Sequence, residues 1–273
     1  MQTITDWPLA ARRRITGVFT DIDDTLTTNG AITPDALAAL AALKAAGLAV
    51  IAITGRSVGW SLPFAAAWPL DAVVAENGAV ALIPGPANGT APQGAVRRTV
   101  TNQYQQNAQT RKTNYACMQA VLRRIEQEIP GAFRAADSAG RETDIAIDHS
   151  EFTSLNSAQI AAVVSLMNRE GMHATVSSIH INGWYGGHNK LEGARWVVKL
   201  LLDRNLASEM DRWAFVGDST NDELMFEAFD NSVGVANIVP FLPNLVQLPR
   251  YLAQSERGAG FAEVVHILLD SCV

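Results

Sequence analysis

The segment Phe19-Thr20-Asp21-Ile22-Asp23-Asp24-Thr25-Leu26 places three carboxylates within four residues, directly after a β-rich run, Ile15 to Thr20. Residues two apart on an extended chain share a face, so Asp21 and Asp23 point the same way. Carboxylates that close resist joint ionisation unless a cation neutralises them. A hard divalent ion with oxygen ligands, Mg²⁺ foremost, answers that need. The segment does not fit a calcium loop, because Leu26 stands at the glycine position and Ile32 at the glutamate position. Taken alone, the motif also reads as an acid-rich turn without chemistry.

Three further stretches carry similar promise. Ile53-Thr54-Gly55-Arg56 follows a second apolar run, and its hydroxyl and the N–H groups of the following helix start can cradle a phosphate. Gly217-Asp218-Ser219-Thr220-Asn221-Asp222 again sets acids at a strand end. Asp218 can complete a metal shell begun by Asp21, and Asp222 can hold Asp218 or a metal-bound water. An N-cap with an acid in the first helical turn would satisfy the same residues. Lys190 follows a glycine-rich stretch and opens a helix, where an ammonium can neutralise developing phosphoryl charge.

These residues need strands that end where they stand. The first part alternates strand, helix, strand, helix, strand: 15–20, 34–46, 48–53, 57–67 and 72–75. Thr33 and Pro34 mark a helix start and Gly47 its end. The rhythm returns late, with helices over 191–204, 222–229 and 262–269 and strands over 213–216, 233–236 and 251–253. Such alternation predicts an α/β fold, a doubly wound parallel sheet covered by helices. The middle differs. A breaker cluster at 84–89 precedes strands over 95–101, 143–148 and 174–181 and helices over 114–128 and 158–170, before the glycine-rich return at 183–187. Residues 1–83 and 187–273 are therefore read as one core domain, and 84–186 as an inserted α+β cap domain.

Composition limits the partners. The net charge is −6 and the pI about 5.4, and the basic run Arg12-Arg13-Arg14 reads as a solvated edge, so no nucleic-acid surface is expected. No apolar run reaches the roughly 18 residues of a membrane span, and residues 1–11 carry no apolar stretch of signal-peptide length. Cys117 and Cys272 are far apart and lack a metal spacing, which makes a cytoplasmic protein the expectation. A small-molecule partner and a monomer or homodimer are the expectation.

The four motifs in this order, Asp21 with Asp23, Thr54, Lys190, and Asp218 with Asp222, resemble those of the haloacid dehalogenase (HAD) superfamily of phosphatases. The large insert resembles the cap of its Cof-type branch, and so do Ala75-Glu76-Asn77-Gly78-Ala79 and Gly258-Ala259-Gly260-Phe261. Within that branch the chain looks closest to the sucrose-phosphate and mannosyl-3-phosphoglycerate phosphatases. The resemblance implies a HAD-like Rossmannoid core and Mg²⁺-dependent hydrolysis of a small phosphate monoester, a sugar phosphate, through an aspartyl-phosphate. It makes Asp21 the nucleophile and Asp23 the acid and base. Asp21, the Asp23 carbonyl and Asp218 would hold Mg²⁺ with Asp222 in support, while Thr54, Lys190 and Asn221 would bind the phosphoryl group. Gly55 and Arg56 join the phosphate-binding loop, and His180 and Asn182, in the stretch 178–184, are the candidate cap contacts to substrate. A phosphotransferase or phosphomutase with the same intermediate, a phospho-receiver regulator and a dehalogenase are the rival readings. Two departures stand out: Asp24 occupies a position where the family often has glycine, and Lys190 is followed by Leu191-Glu192-Gly193 rather than directly by glycine.

Overall fold

Apolar β-branched runs buried on both faces make strands of a parallel sheet. Gly17–Thr20 and Trp213–Gly217 are buried at every residue. In the computed structural model, which describes residues 1–90 and 96–270, they lie side by side near the middle of a nine-stranded sheet. Its order is Gln2–Thr3, Tyr251–Leu252, Asn231–Gly234, Trp213–Gly217, Gly17–Thr20, Ala49–Ile53, Ala72–Ala75, Val80–Thr90 and Val96–Tyr104. The first seven run parallel, and the last two form an antiparallel hairpin. Helices Pro34–Ala45, Val58–Ala67 and Arg257–Leu269 cover one face, and Lys190–Leu202 with Glu223–Ala228 the other. Phe19 stacks on Trp213 at 4.7 Å between ring centres, locking the two central strands together. Asp21, Thr54 and Asp218 follow neighbouring parallel strands, so all three reach the same edge, where such sheets bind ligands.

The insert carries a four-stranded antiparallel sheet, ordered His173–Val176, His180–Trp184, Ile145–Asp148, Phe133–Arg134. Helices Ala108–Glu128 and Ser157–Arg169 bury Met118, Leu122, Ile125, Val163 and Leu166 against Ile145, Ile147 and Ile181.

Several sequence expectations need correction. The breaker cluster at 84–89 lies inside the strand Val80–Thr90, whose pairing slips between Pro84 and Ala87 and again between Ala87 and Thr90. Proline and glycine are tolerated in such an irregular strand near a sheet edge. The strand expected over 95–101, whose first residue lies outside the described residues, pairs with this one as Val96–Tyr104 and so extends the large sheet. The run 174–181 is two antiparallel strands, because Ser177 turns the chain by accepting the N–H groups of Ile179 and His180. Gly183 and Trp184 belong to the second of them. The helix expected from 114 begins at Ala108, capped by Asn107. Thr33 takes the N-cap position without a capping bond from its side chain, and Gly47 lies just beyond the C-cap Ala46 at φ +80°. Cys272 lies outside the described residues.

His188, in the return to the core, stacks on Trp184 at 5.5 Å, and neither of its ring nitrogens has a hydrogen-bond partner among the described residues. Burial, helped by His173, pushes its pKa down to about 4. A histidine lowered on folding stabilises the fold fully above its ordinary value, and that stability drains away as pH falls toward the folded value. The wild type should therefore lose stability relative to His188→Phe, on the order of 3 kcal/mol, between pH 6.5 and 4. Urea unfolding of both proteins at the two pH values checks this; parallel losses would refute it.

Candidate active site

Asp21 ends the strand Gly17–Thr20, and its N–H donates to the carbonyl of Val216 at 2.9 Å, which ties it to the strand that delivers Asp218. Asn189 caps the helix Lys190–Leu202 by accepting the Glu192 N–H at 2.9 Å, and this fixes Lys190 at the helix start. The Lys190 ammonium lies 2.6 Å from an oxygen of Asp21 and 2.6 Å from an oxygen of Asp222. The other Asp222 oxygen accepts the N–H groups of Asp218 at 3.0 Å and Ser219 at 3.3 Å. Ligand atoms of Asp21, Asp218 and Asp222 all fall within 4.8 Å of one another, and all three residues are buried. Among the described residues, the side-chain donors to the Asp218 carboxylate are neutral, Asn237 Nδ2 at 3.2 Å and Thr25 Oγ1 at 3.5 Å.

One ammonium thus faces three buried carboxylates. Burial, opposed by Lys190 and reinforced by Asp222 and Asp23, pushes Asp21 up to about 8. Burial also raises Asp218 well above the carboxylate range, and Asp21, Asp222 and Asp24 add to it. An all-oxygen donor set with surplus negative charge fits a hard divalent cation.

The Asp23 carboxylate pairs with a different cation, Arg56. Both its oxygens lie 3.0 Å from Nε of Arg56, whose guanidinium carbon lies 4.6 Å from the centre of the Trp60 ring. Arg56 also spans to the insert, donating to Glu151 at 2.7 and 3.1 Å. Glu151 takes a further contact from His180 Nε2 at 2.9 Å. Burial alone would raise Glu151, but these two partners outweigh it and hold the carboxyl at about 2. Burial raises Asp23 above the usual range despite Arg56.

Thr54 is fully buried, and its hydroxyl oxygen accepts the Arg56 N–H at 3.0 Å. The Gly55 carbonyl accepts Asn182 Nδ2 at 3.0 Å and an Arg141 Nη at 3.0 Å, both from the insert. A side chain at Gly55 would press on Asn182 and Asn77 at 3.2–3.3 Å. Arg141 is tied to Asp144 and Asp137, and Asp137 accepts the Ser57 N–H at 3.0 Å. The buried Glu76 carboxylate accepts N–H groups from Val58 in the core and from Glu142 and Thr143 in the insert. Gly59 and Gly140 meet nearly backbone to backbone; a Cβ on Gly59 would lie 2.8 Å from Gly140 Cα.

Asp21, Asp23, Thr54, Gly55, Arg56, His180, Asn182 and Asn221 line one cleft, whose cavity is only about 10 Å³, about the size of one water. The side chains expected to meet substrate from the insert are already engaged, His180 with Glu151 and Asn182 with Gly55 and Asp144. A larger cavity of about 450 Å³ opens beside Asp23, bounded by Asp24, Gly30, Glu151, Phe152 and Arg257.

Both departures from the motif pattern have a structural reason. Asp24 sits at φ +55°, the left-handed region that favours glycine, and its carboxylate meets Arg257 at 3.0 Å instead of turning to the acidic group. The glycine three residues after Lys190 lets the helix touch the Glu76–Gly78 turn: a Cβ on Gly193 would lie 2.5 Å from Gly78 Cα.

The family model of the haloacid dehalogenase-like hydrolases matches residues 18–118. The fold is similar to that of a Thermoplasma acidophilum protein (TM-score 0.67, 16% identity, 93% of this chain and 98% of that one). It is also similar to an HAD/COF-like hydrolase from Plasmodium vivax (0.66, 16%, 96% and 99%). A third likeness is the sucrose-phosphatase of Synechocystis sp. PCC6803, solved with sucrose and phosphate (0.60, 15%, 93% and 98%). A search of curated proteins finds no match. Among the described residues no helix is long and apolar enough to cross a membrane.

Proposed function

We propose that this chain, whose residues 18–118 match the family model of the haloacid dehalogenase-like hydrolases, is a phosphatase of the Cof type that hydrolyses a small sugar phosphate with Mg²⁺ through an aspartyl-phosphate on Asp21. The observation that carries this reading is the strand-end group of Asp21, Lys190, Asp218 and Asp222. Asp21, Asp218 and the main-chain carbonyl of Asp23 would hold the ion, with Asp222 fixing Lys190 and the loop around Asp218. Bound there, Mg²⁺ offsets the repulsion between the Asp21 carboxylate and the phosphate dianion.

The chain's own groups supply the remainder. Asp21 attacks phosphorus, the ester oxygen leaves, and water later cleaves the acyl phosphate. Asp23, beside Asp21 and oriented by Arg56, protonates the leaving oxygen; its raised pKa keeps that proton available nearer neutrality. Lys190, the Thr54 hydroxyl and Asn221 bind phosphoryl oxygens as charge redistributes. The sugar class is supported by the likeness to a sucrose-phosphatase and by the polar walls of the cavity beside Asp23. Phosphate release from a panel of sugar phosphates and phosphoglycerate esters, with Mg²⁺ and with EDTA, tests the reading. Release that needs Mg²⁺ and is highest for a sugar phosphate is expected; no release from any ester at saturating Mg²⁺ would refute it.

A further inference from the structure

The Gly55 carbonyl is the point where the insert grips the phosphate-binding loop. It accepts Asn182 Nδ2 and an Arg141 Nη, each at 3.0 Å, from segments 127 and 86 residues away. Both donors are buried and each is held from behind by Asp144, with Arg141 at 2.7 and 2.9 Å and Asn182 at 2.9 Å. The amide of Asn182 has acceptors on both sides, so its orientation is fixed. The Gly55 carbonyl and the Arg56 N–H belong to one planar peptide unit. That N–H donates to Thr54 Oγ1 at 3.0 Å. With its oxygen accepting there, the Thr54 hydroxyl proton is left to donate elsewhere. A four-part chain results: insert donors, peptide plane, threonine oxygen, threonine proton.

We infer that Asn182 and Arg141 are positioning residues, which aim the Thr54 hydroxyl by clamping the Gly55–Arg56 peptide when the insert is seated. The inference rests on the proposed function, since it takes Thr54 to bind the phosphoryl group. It assigns Asn182 to the loop and not to the sugar. It also makes the seated insert part of the catalytic geometry, beyond its role as a cover. A loose insert frees the peptide to rotate, and the hydroxyl loses its aim. Arg141 is the poorer variant, because its removal strands Asp137 and Asp144 inside the protein.

The test is a double-mutant cycle on p-nitrophenyl phosphate with Mg²⁺, using Asn182→Leu to remove the amide at similar volume and Thr54→Val to remove the hydroxyl. Asn182→Ala and thermal melts of every protein guard against misfolding. Asn182→Leu is expected to lower kcat about 10- to 100-fold in the parent, and by less than about twofold once Thr54 is valine. A purely structural role for Asn182 would give equal losses in both backgrounds, and that result, or no loss in the parent, overturns the clamp. Asp21→Asn separates the two levels. If it is inactive while the cycle is additive, the hydrolase stands and the clamp falls. If it keeps full activity, the functional reading falls, and the clamp with it.

Discussion

Asp21→Asn protein is expected to release phosphate at least about a thousandfold more slowly than the parent, with the fold intact. The amide is nearly isosteric, and its carbonyl can keep the contact with the Lys190 ammonium that the carboxylate makes at 2.6 Å. What it cannot do is form an acyl phosphate. Stability should move the other way. Burial and the neighbouring acids hold Asp21 at about 8, so the ionised form is strained without a cation. Removing that charge should leave the thermal midpoint in EDTA equal to or above that of the parent. Stopped-time phosphate assays and melts with and without Mg²⁺ measure both. Parent-like turnover would remove Asp21 from the chemistry, and a large drop in the EDTA midpoint would show that its charge is needed structurally.

Lys190→Met should cost both activity and stability. The ammonium is the only cation bridging Asp21 and Asp222 among the described residues, and all three side chains are buried. Deleting one partner of a buried ion pair leaves uncompensated charge, at about 3–5 kcal/mol. Because the surplus is negative, saturating Mg²⁺ should restore part of the loss by binding the folded state preferentially. Urea unfolding at pH 7.5 with EDTA and with Mg²⁺ is the measurement. A loss below about 1 kcal/mol would mean that Lys190 is not the counter-ion of this group. Equal loss with and without Mg²⁺ would mean that the acids hold no cation.

The acidic group was legible because it obeys a local rule. Asp21, Thr54 and Asp218 each stand one residue past a strand of a parallel sheet, and parallel strands bring their ends together. Lys190 was legible for a similar reason, at the first residue of a helix after a glycine-rich return. The contacts across to the insert had no such rule behind them. Arg141 and Gly55 are 86 residues apart, and Arg56 and Glu151 are 95 apart. No period or spacing in the chain encodes which acid will face which arginine there. The buried Glu76 was read as part of a family signature, yet its physical role is to accept backbone donors from both sides of the junction. His180 and Asn182 line the cleft, but their polar atoms already have partners. Polar residues at alternate positions on a strand suggest a face that awaits a ligand, but here other side chains and a carbonyl had already claimed them. The breaker cluster at 84–89 misled because proline and glycine also mark an irregular strand, and the chain there runs on in the large sheet.

The insert's contacts are unevenly spread, and this bears on the order of events. Along the side of Gly55, Gly59 and Glu76 it is pinned by buried hydrogen bonds and a glycine-to-glycine touch. Glu151 adds a contact to Arg56 beside the cavity next to Asp23. In the proposed reaction the alcohol is released at Asp23, next to that cavity, while the phosphoryl group lies toward Thr54 and Lys190. The cavity of about 450 Å³ beside Asp23 would then be the way out for the alcohol and the way in for water. The products of the proposed reaction would then leave in a set order, alcohol first and inorganic phosphate last, as the two halves of a covalent mechanism require.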